Sequence, residues 1–269
     1  MSVPTQRPVY VVYHGGCNDG FGSAWAAHKK LGDDASYHGV YWGSPLPEFP
    51  EIGTIYFCDY CPPRAELERL VNDGHDVTLL DHHKTAIPQV EGLDRVHKVL
   101  DMERSGAVIT WEYFFPGEPV PTLLQWIQDR DIWTNEIPEA NLATEALRIY
   151  PQEFGLWDVF VENPAQLIAA GVVLDERKKQ YIESHLDRVY MSEIGGHLVP
   201  TINTDSYPSD LGNRLCKEHP DAAFSATWFM LGNGTRKFSL RSIGEFDVAE
   251  IAKQFGGGGH KNAAGFVIP

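Results

Sequence analysis

A chain of 269 residues, 43% hydrophobic and 12% aromatic, can bury real cores, and its length leaves one large or two modest domains open. With 22 Lys plus Arg against 37 Asp plus Glu the formal charge is −15, which repels a long nucleic-acid duplex but not a short anion met through bound cations. No apolar run would span a bilayer, and MSVPTQRPVYVVYH lacks the order of a signal peptide, so a cytoplasmic location without a membrane partner is expected.

In chain order, four short apolar and β-branched runs read as buried strands: PVYVVYH (8–14), GTIYFCD (53–59), DVTLLD (76–81) and RVHKVLD (95–101). Helix-like GFGSAWAAHKKL (20–31) and PRAELERLVNDG (63–74) separate the first three, the second opened by Pro and closed by Gly. Strands alternating with helices predict βαβ units and a parallel sheet. From about 105 to 191 the pattern is helical, ending in the long PAQLIAAGVVLDERKKQYIESHLDRVY. After it GGHLVPTIN, AFSATWFML and RKFSLRSI alternate as strands, SDLGNRLCKE and VAEIAKQF read as helices, and GGGGHKNAAGFVI closes the chain. The expected architecture is α/β: a parallel-sheet N-terminal domain over 1–190, ending in a linker helix, and a smaller α+β domain over 195–269.

Three of the strands end in acid or histidine: His14, Asp59 and Asp81. The carboxyl ends of strands in an open parallel sheet form the crevice where ligands bind. YHGGCNDGFGSAW (13–25) has the position of a phosphate loop but not its G-K-[ST] ending; instead it delivers His14 and Asp19, with Ser23 in the first helical turn as a candidate for an anion. With His82 and His83 after Asp81, the donors are carboxylate and imidazole, which suit Mn²⁺, Mg²⁺ or Fe²⁺ better than structural zinc. The four cysteines, Cys17, Cys58, Cys61 and Cys216, form no disulfide framework and read as reduced thiols; the C-x-x-C of Cys58 and Cys61 lacks a second pair and reads as strand-end packing. In the tail, Gly256 to Gly259 allow backbone N–H groups close to an anion; His260 comes next, and Arg241 on the preceding strand offers a planar fork for a terminal phosphate.

At this point LLDHHKTA (79–86) resembles the signature of the DHH phosphoesterases. HGGCNDGFGSA, YFCDY and QDRDIW are similar to its other motifs, and GGGGHKNAAGF is similar to the glycine-rich substrate loop of the DHH-associated C-terminal domain. The resemblance implies two divalent ions, Mn²⁺ first with Mg²⁺, Fe²⁺ or Zn²⁺ as alternatives, and phosphoester hydrolysis by metal-activated water. By that resemblance Asp59 bridges the ions, His14 binds one, and Asp19, His82 and Asp129 bind the other, with Asp131 the alternative to Asp129. By the same resemblance Asp81 would orient a histidine, His83 would face the phosphate, and Gly257, Gly258, Gly259 and His260 would contact substrate, beside the candidates Arg241 and Ser23 read from the residues themselves. Cys17 stands where most relatives place an acid, which makes the first metal site its point of departure from the family.

The architecture implied is that of nano-RNases, exonucleases that release mononucleotides from short oligoribonucleotides or linear dinucleotides; a phosphatase acting on phosphoadenosine phosphate and a cyclic nucleotide phosphodiesterase are the alternatives. Inorganic pyrophosphatase, which shares the DHH motifs, should lack the GGGH loop, and a non-catalytic nucleotide sensor is the reading from another class. A homodimer is left open. Trp111, Trp126, Trp133 and Trp157 could stack a base, with core packing the simpler role.

Overall fold

The computed structural model describes residues 7–269, which form two compact units divided between Asp175 and Glu176. In the first, β1 (Val9–His14), β2 (Ala35–Val40), β3 (Thr54–Cys58), β4 (Asp76–Asp81) and β5 (Val96–Leu100) make a five-stranded sheet in the order β2-β1-β3-β4-β5. All its pairings are parallel. The strands read as near-continuous apolar runs because helices cover both faces of such a sheet. One side carries α1 (Asn18–Leu31), α4 (Gly106–Phe114) and α5 (Thr122–Asp131). There Phe21, Ala24, Ala107, Leu124 and Ile127 share a core with Trp111 and Trp157, and the Trp25 and Trp111 rings stack at 5.8 Å. The other side carries α2 (Arg64–Asn72), whose Leu67 and Leu70 pack with Ile55, Phe57 and Leu79, and the short α3 (Ile87–Val90). Helices α6 (Pro138–Leu147) and α7 (Phe154–Glu162) complete the layer beside α1.

Strand β2 was not legible in the sequence: only its ends, Ala35 and Val40, are buried, as befits an edge strand with little apolar content. The long helix α8 (Ala165–Glu183) carries the division between the units within it, where the sequence pattern placed the break after it. The reason is packing: Tyr181 and Ile182, with Leu186 and Val189 beyond them, seat against Ile202, Leu211 and Leu215 of the second unit's own core.

That unit is built on a six-stranded sheet of β6 (Tyr190–Ile194), β7 (His197–Asn203), β8 (Ser225–Met230), β9 (Arg236–Arg241), β10 (Gly258–His260) and β11 (Ala263–Ile268), in the order β10-β11-β9-β8-β7-β6. Only the β7–β8 pairing is parallel. Helices α9 (Pro208–Glu218) and α10 (Val248–Gln254) pack on it, and Asp247 caps α10 by accepting from Ala249 N–H at 2.8 Å. No helix among the described residues is long and apolar enough to cross a membrane.

Candidate metal centre

The strand order sets β1, β3 and β4 side by side, so their carboxyl ends deliver His14, Asp59 and Asp81 with His82 and His83 to one edge. Asp59 succeeds β3 in the left-handed conformation, φ 56°, with its N–H donating to Leu80 O at 2.9 Å. Such backbone is costly for a non-glycine residue and is held only where the surroundings over-determine it. One constraint is Gly106: a Cβ there would stand 2.5 Å from Asp59 Cβ, so the amino end of α4 can abut the aspartate only as glycine.

Asp59 is the hub. Its Oδ2 lies 3.6 Å from His14 Nδ1, and its Oδ1 lies 3.2 Å from His82 Nε2 and 3.8 Å from His83 Nδ1. His82 Nε2 is also 3.6 Å from Asp19 Oδ2 and 3.4 Å from Asp131 Oδ2. The Asp19 carboxylate is pinned at the α4 amino terminus, accepting from Gly106 N–H at 2.7 Å and Ala107 N–H at 3.0 Å. Asp81, fully buried, accepts from His82 N–H, His83 N–H and His83 Nδ1, the last at 2.7 Å. Its grip on Nδ1 leaves His83 Nε2 as the nitrogen open to a ligand.

The donors fall into three overlapping groups: His14, Cys17 and Asp59; Asp59, His82 and His83; Asp19, His82 and Asp131. Burial pushes the Asp19 carboxyl well above the usual carboxylate range, and Asp59 and Asp131 push it further. Asp131 is raised by burial and by Asp59. Burial would also raise Asp59, but His14, His82 and His83 around it hold it below the usual value. For His82 burial works downward, yet Asp59, Asp19 and Asp131 carry its imidazolium up to about 9. Burial and the Asp59 and Asp19 charges push the Cys17 thiol up to about 12. Three clustered carboxylates have only imidazoles as charged partners, and buried Asp59 Oδ1 receives no well-directed hydrogen bond among the described residues although His82 Nε2 stands 3.2 Å away. A divalent cation fits both observations, since it takes oxygen and neutral imidazole donors and reverses these upward shifts.

Of the two aspartates the sequence offered, with Asp129 favoured, it is Asp131 that stands with His82 and Asp19 in this structure. Asp129 Oδ1 accepts from Thr134 Oγ1 and Glu136 N–H, both at 2.8 Å, tying down the loop after α5, and its Oδ2 is buried without a partner among the described residues. The signal was present, because Asp131 extends the stripe of Leu124 and Ile127 that faces the core. Ser23 is also not where expected: it is fully buried in the second turn of α1, and its hydroxyl donates to Asp19 O at 2.9 Å. Trp111 and Trp157 are core residues and Trp126 packs partly buried beside them, but Trp133 is 54% exposed at φ 62° with the Arg130 guanidinium 4.2 Å from its ring. Cys58 and Cys61 are buried at the end of β3.

In the second unit the glycine run is divided in role. Gly256 N–H donates to Lys253 O and Gly257 N–H to Ala252 O, closing α10, so these two amides are not offered to an anion. A Cβ at Gly257 would lie 2.1 Å from Gly265 O, and Gly258 and Gly259 enter the β10–β11 hairpin. His260 is exposed and pairs with Ala263, which pairs with Arg241, so register places both side chains on one face two strands apart. Arg241 donates to Ser209 Oγ at 2.6 Å and Leu240 O at 2.7 Å, and its Nε is buried without a partner. Burial lowers the Arg241 pKa.

Acid and imidazole from successive strand ends, with a glycine–histidine hairpin in the second unit, define a phosphoesterase: the chain belongs to the DHH phosphoesterase family with a DHHA1 C-terminal domain, hydrolases acting on phosphoester bonds. The DHHA1 domain model matches residues 209–269. The chain is 33% identical over 283 residues to the uncharacterized protein R106 of Acanthamoeba polyphaga mimivirus, which covers 96% of this chain and 67% of R106. It is 26% identical over 300 residues to the oligoribonuclease NrnB of Bacillus subtilis (strain 168), covering 97% of this chain and 73% of NrnB. Among solved structures, the pGpG-specific phosphodiesterase PggH from Vibrio cholerae shares the fold at a TM-score of 0.56 and 11% identity, over 97% of this chain and 93% of PggH.

Proposed function

We propose that the protein is a metal-dependent phosphodiesterase that hydrolyses short oligoribonucleotides or linear dinucleotides to mononucleotides. The observation that carries this reading is Asp59, shared between the His14–Cys17 group and the His82–His83 group, with Asp19 and Asp131 completing the cluster about His82. The 26% identity to an oligoribonuclease over 97% of the chain supports the substrate class, and a net charge of −15 disfavours a long polyanion.

Divalent ions, Mn²⁺ by the oxygen and imidazole donor set, would be held by His14, Cys17 and Asp59 and by Asp59, Asp19, His82 and Asp131, and would supply a water of lowered pKa and neutralise charge on the phosphate. The chain's own residues do the rest. Asp81 fixes the His83 ring through Nδ1 and favours its protonated form, since burial alone would lower the His83 pKa but the Asp81 hydrogen bond raises it. His83 can therefore present a cationic Nε2–H to a phosphate oxygen, where developing charge is stabilised. The α4 amino terminus holds Asp19 in place through two backbone N–H groups, so the carboxylate is oriented before any ligand arrives. In the second unit, Arg241 and His260 share a face of the sheet, where the exposed His260 imidazole would take the substrate's terminal phosphate or base and the half-buried Arg241 would add positive charge behind it.

The test is product analysis with Mn²⁺ and a panel of pApA, a 5-mer RNA, a 24-mer RNA, phosphoadenosine phosphate and pyrophosphate. Mononucleotides released chiefly from pApA and the 5-mer are the expected result. Preference for the 24-mer, for phosphoadenosine phosphate or for pyrophosphate would replace the reading, and binding of pApA without turnover would make the protein a sensor.

A further inference from the structure

Trp42 has no place in the metal cluster, yet its ring touches it. The indole lies 5.7 Å from the His14 ring and 5.6 Å from the His83 ring between centroids, in edge-to-face geometry with both, and rests at 4.9 Å on the buried Tyr60. It is nonetheless 49% exposed. A tryptophan clamped by three neighbours and still half open presents a rigid aromatic surface to solvent at little cost in conformational entropy. It also lines an open groove of about 1140 Å³, whose apolar wall includes Leu46 and Phe49. The groove's charges are unsuited to phosphate: Glu48, Glu66 and Asp73 line it, and the Arg69 guanidinium is already engaged by Glu66 and Asp73. A neutral, flat, aromatic ligand is what such a wall and charge pattern accept.

Resting on the phosphodiesterase reading above, we propose that Trp42 is the stacking platform for the nucleobase next to the scissile phosphate, with the groove beyond it receiving that base while the phosphate stays at the His14–Asp59–His82 cluster. The two sites are continuous through the indole, and a nucleotide spans them because its base and phosphate are separated by one sugar. Stacking on an aromatic side chain is tolerant of base identity, so the platform sets a requirement for a base rather than a sequence preference. Trp42 is thus a positioning and specificity residue for the first nucleotide.

The experiment compares wild type, Trp42→Ala and Trp42→Phe on pApA and on methyl p-nitrophenyl phosphate, which has no base. Trp42→Ala is expected to raise KM for pApA by ~10-fold or more, with a loss on pApA several times that on the chromogenic ester, while Trp42→Phe recovers most of it. Equal losses on both substrates, or no change on pApA, overturn the proposal. If wild type does not turn over pApA, the substrate reading fails by itself, and the platform is decided by calorimetric binding of AMP in the presence of Mn²⁺. There a Trp42→Ala protein that binds AMP as tightly as wild type overturns it, and ~10-fold weaker binding sustains it.

Discussion

Asp129 and Asp131 stand two residues apart on α5, and their structural roles separate into opposite experimental signatures. Asp129→Ala removes an acceptor that takes hydrogen bonds from Thr134 Oγ1 and Glu136 N–H, each at 2.8 Å, at a site 4% exposed. Bonds to a charged group are worth ~1.5–3 kcal/mol each, and taking the low end for a coupled pair gives about 3 kcal/mol lost. For a unit of this size that is a fall in Tm of ~6–12 °C. Asp131→Ala instead removes a carboxylate that lies 3.4 Å from His82 Nε2 and whose pKa is raised by burial and by Asp59. Stability without metal should hold or rise, because one of three clustered acids is gone, while Mn²⁺ affinity should fall by at least the ~10–100-fold that even outer partners of a metal site command. Calorimetric titration of the chelator-treated protein with Mn²⁺, paired with thermal unfolding by circular dichroism, reads both. A protein in which Asp129→Ala abolishes Mn²⁺ binding at unchanged Tm, and Asp131→Ala leaves it intact, would refute the assignment.

Asp59→Ala should abolish hydrolysis and lower total Mn²⁺ bound per chain, since two of the three donor groups share that carboxylate; near-normal turnover would sink its role as hub. In the metal-free protein His82 should titrate near 9, visible by NMR of its ring nitrogens, and move back toward 6.5 in Asp59→Asn. Its folded pKa is the raised one, so its contribution is fully present below about 6.5, is lost as pH rises through about 9, and amounts to roughly 3 kcal/mol at most. Because metal needs neutral imidazole, apparent Mn²⁺ affinity should climb ~10-fold per pH unit between 7 and 9 and then level off; a flat profile would contradict the raised His82. Cys17→Asp places a hard oxygen donor beside His14 and Asp59 and should tighten Mn²⁺ binding relative to Zn²⁺, measured by competition; unchanged selectivity would remove Cys17 from the ligand set.

The central strands and the acid and histidine residues at their ends were legible in the chain alone. Strands buried on both faces are near-continuous apolar runs, and the residues just past such a run in a parallel sheet must emerge at its carboxyl edge, so His14, Asp59 and Asp81-His82-His83 could be placed together without coordinates. Other features depended on contacts far apart in sequence. Which of two neighbouring aspartates reaches the cluster was only half written in the stripe that Asp131 shares with Leu124 and Ile127; the roll of α5 that turns this stripe inward is fixed by packing against α1 and α4, and the loop whose hydroxyl and amide capture Asp129 completes the choice. Ser23 was lost to a helix that begins earlier than its glycines suggest, so the hydroxyl found a carbonyl inside α1. Half of the glycine run closes α10 through its backbone amides, and Gly265 and Phe266 of β11 leave no room for a Cβ at Gly257. Trp42 comes after an edge strand too polar to be seen in the pattern, and only the pairing of β2 with β1 brings it beside His14 and His83. Periodicity and turn chemistry are local and can be read along the chain; the direction of a side chain at a strand end or helix end is decided by what packs against it from elsewhere.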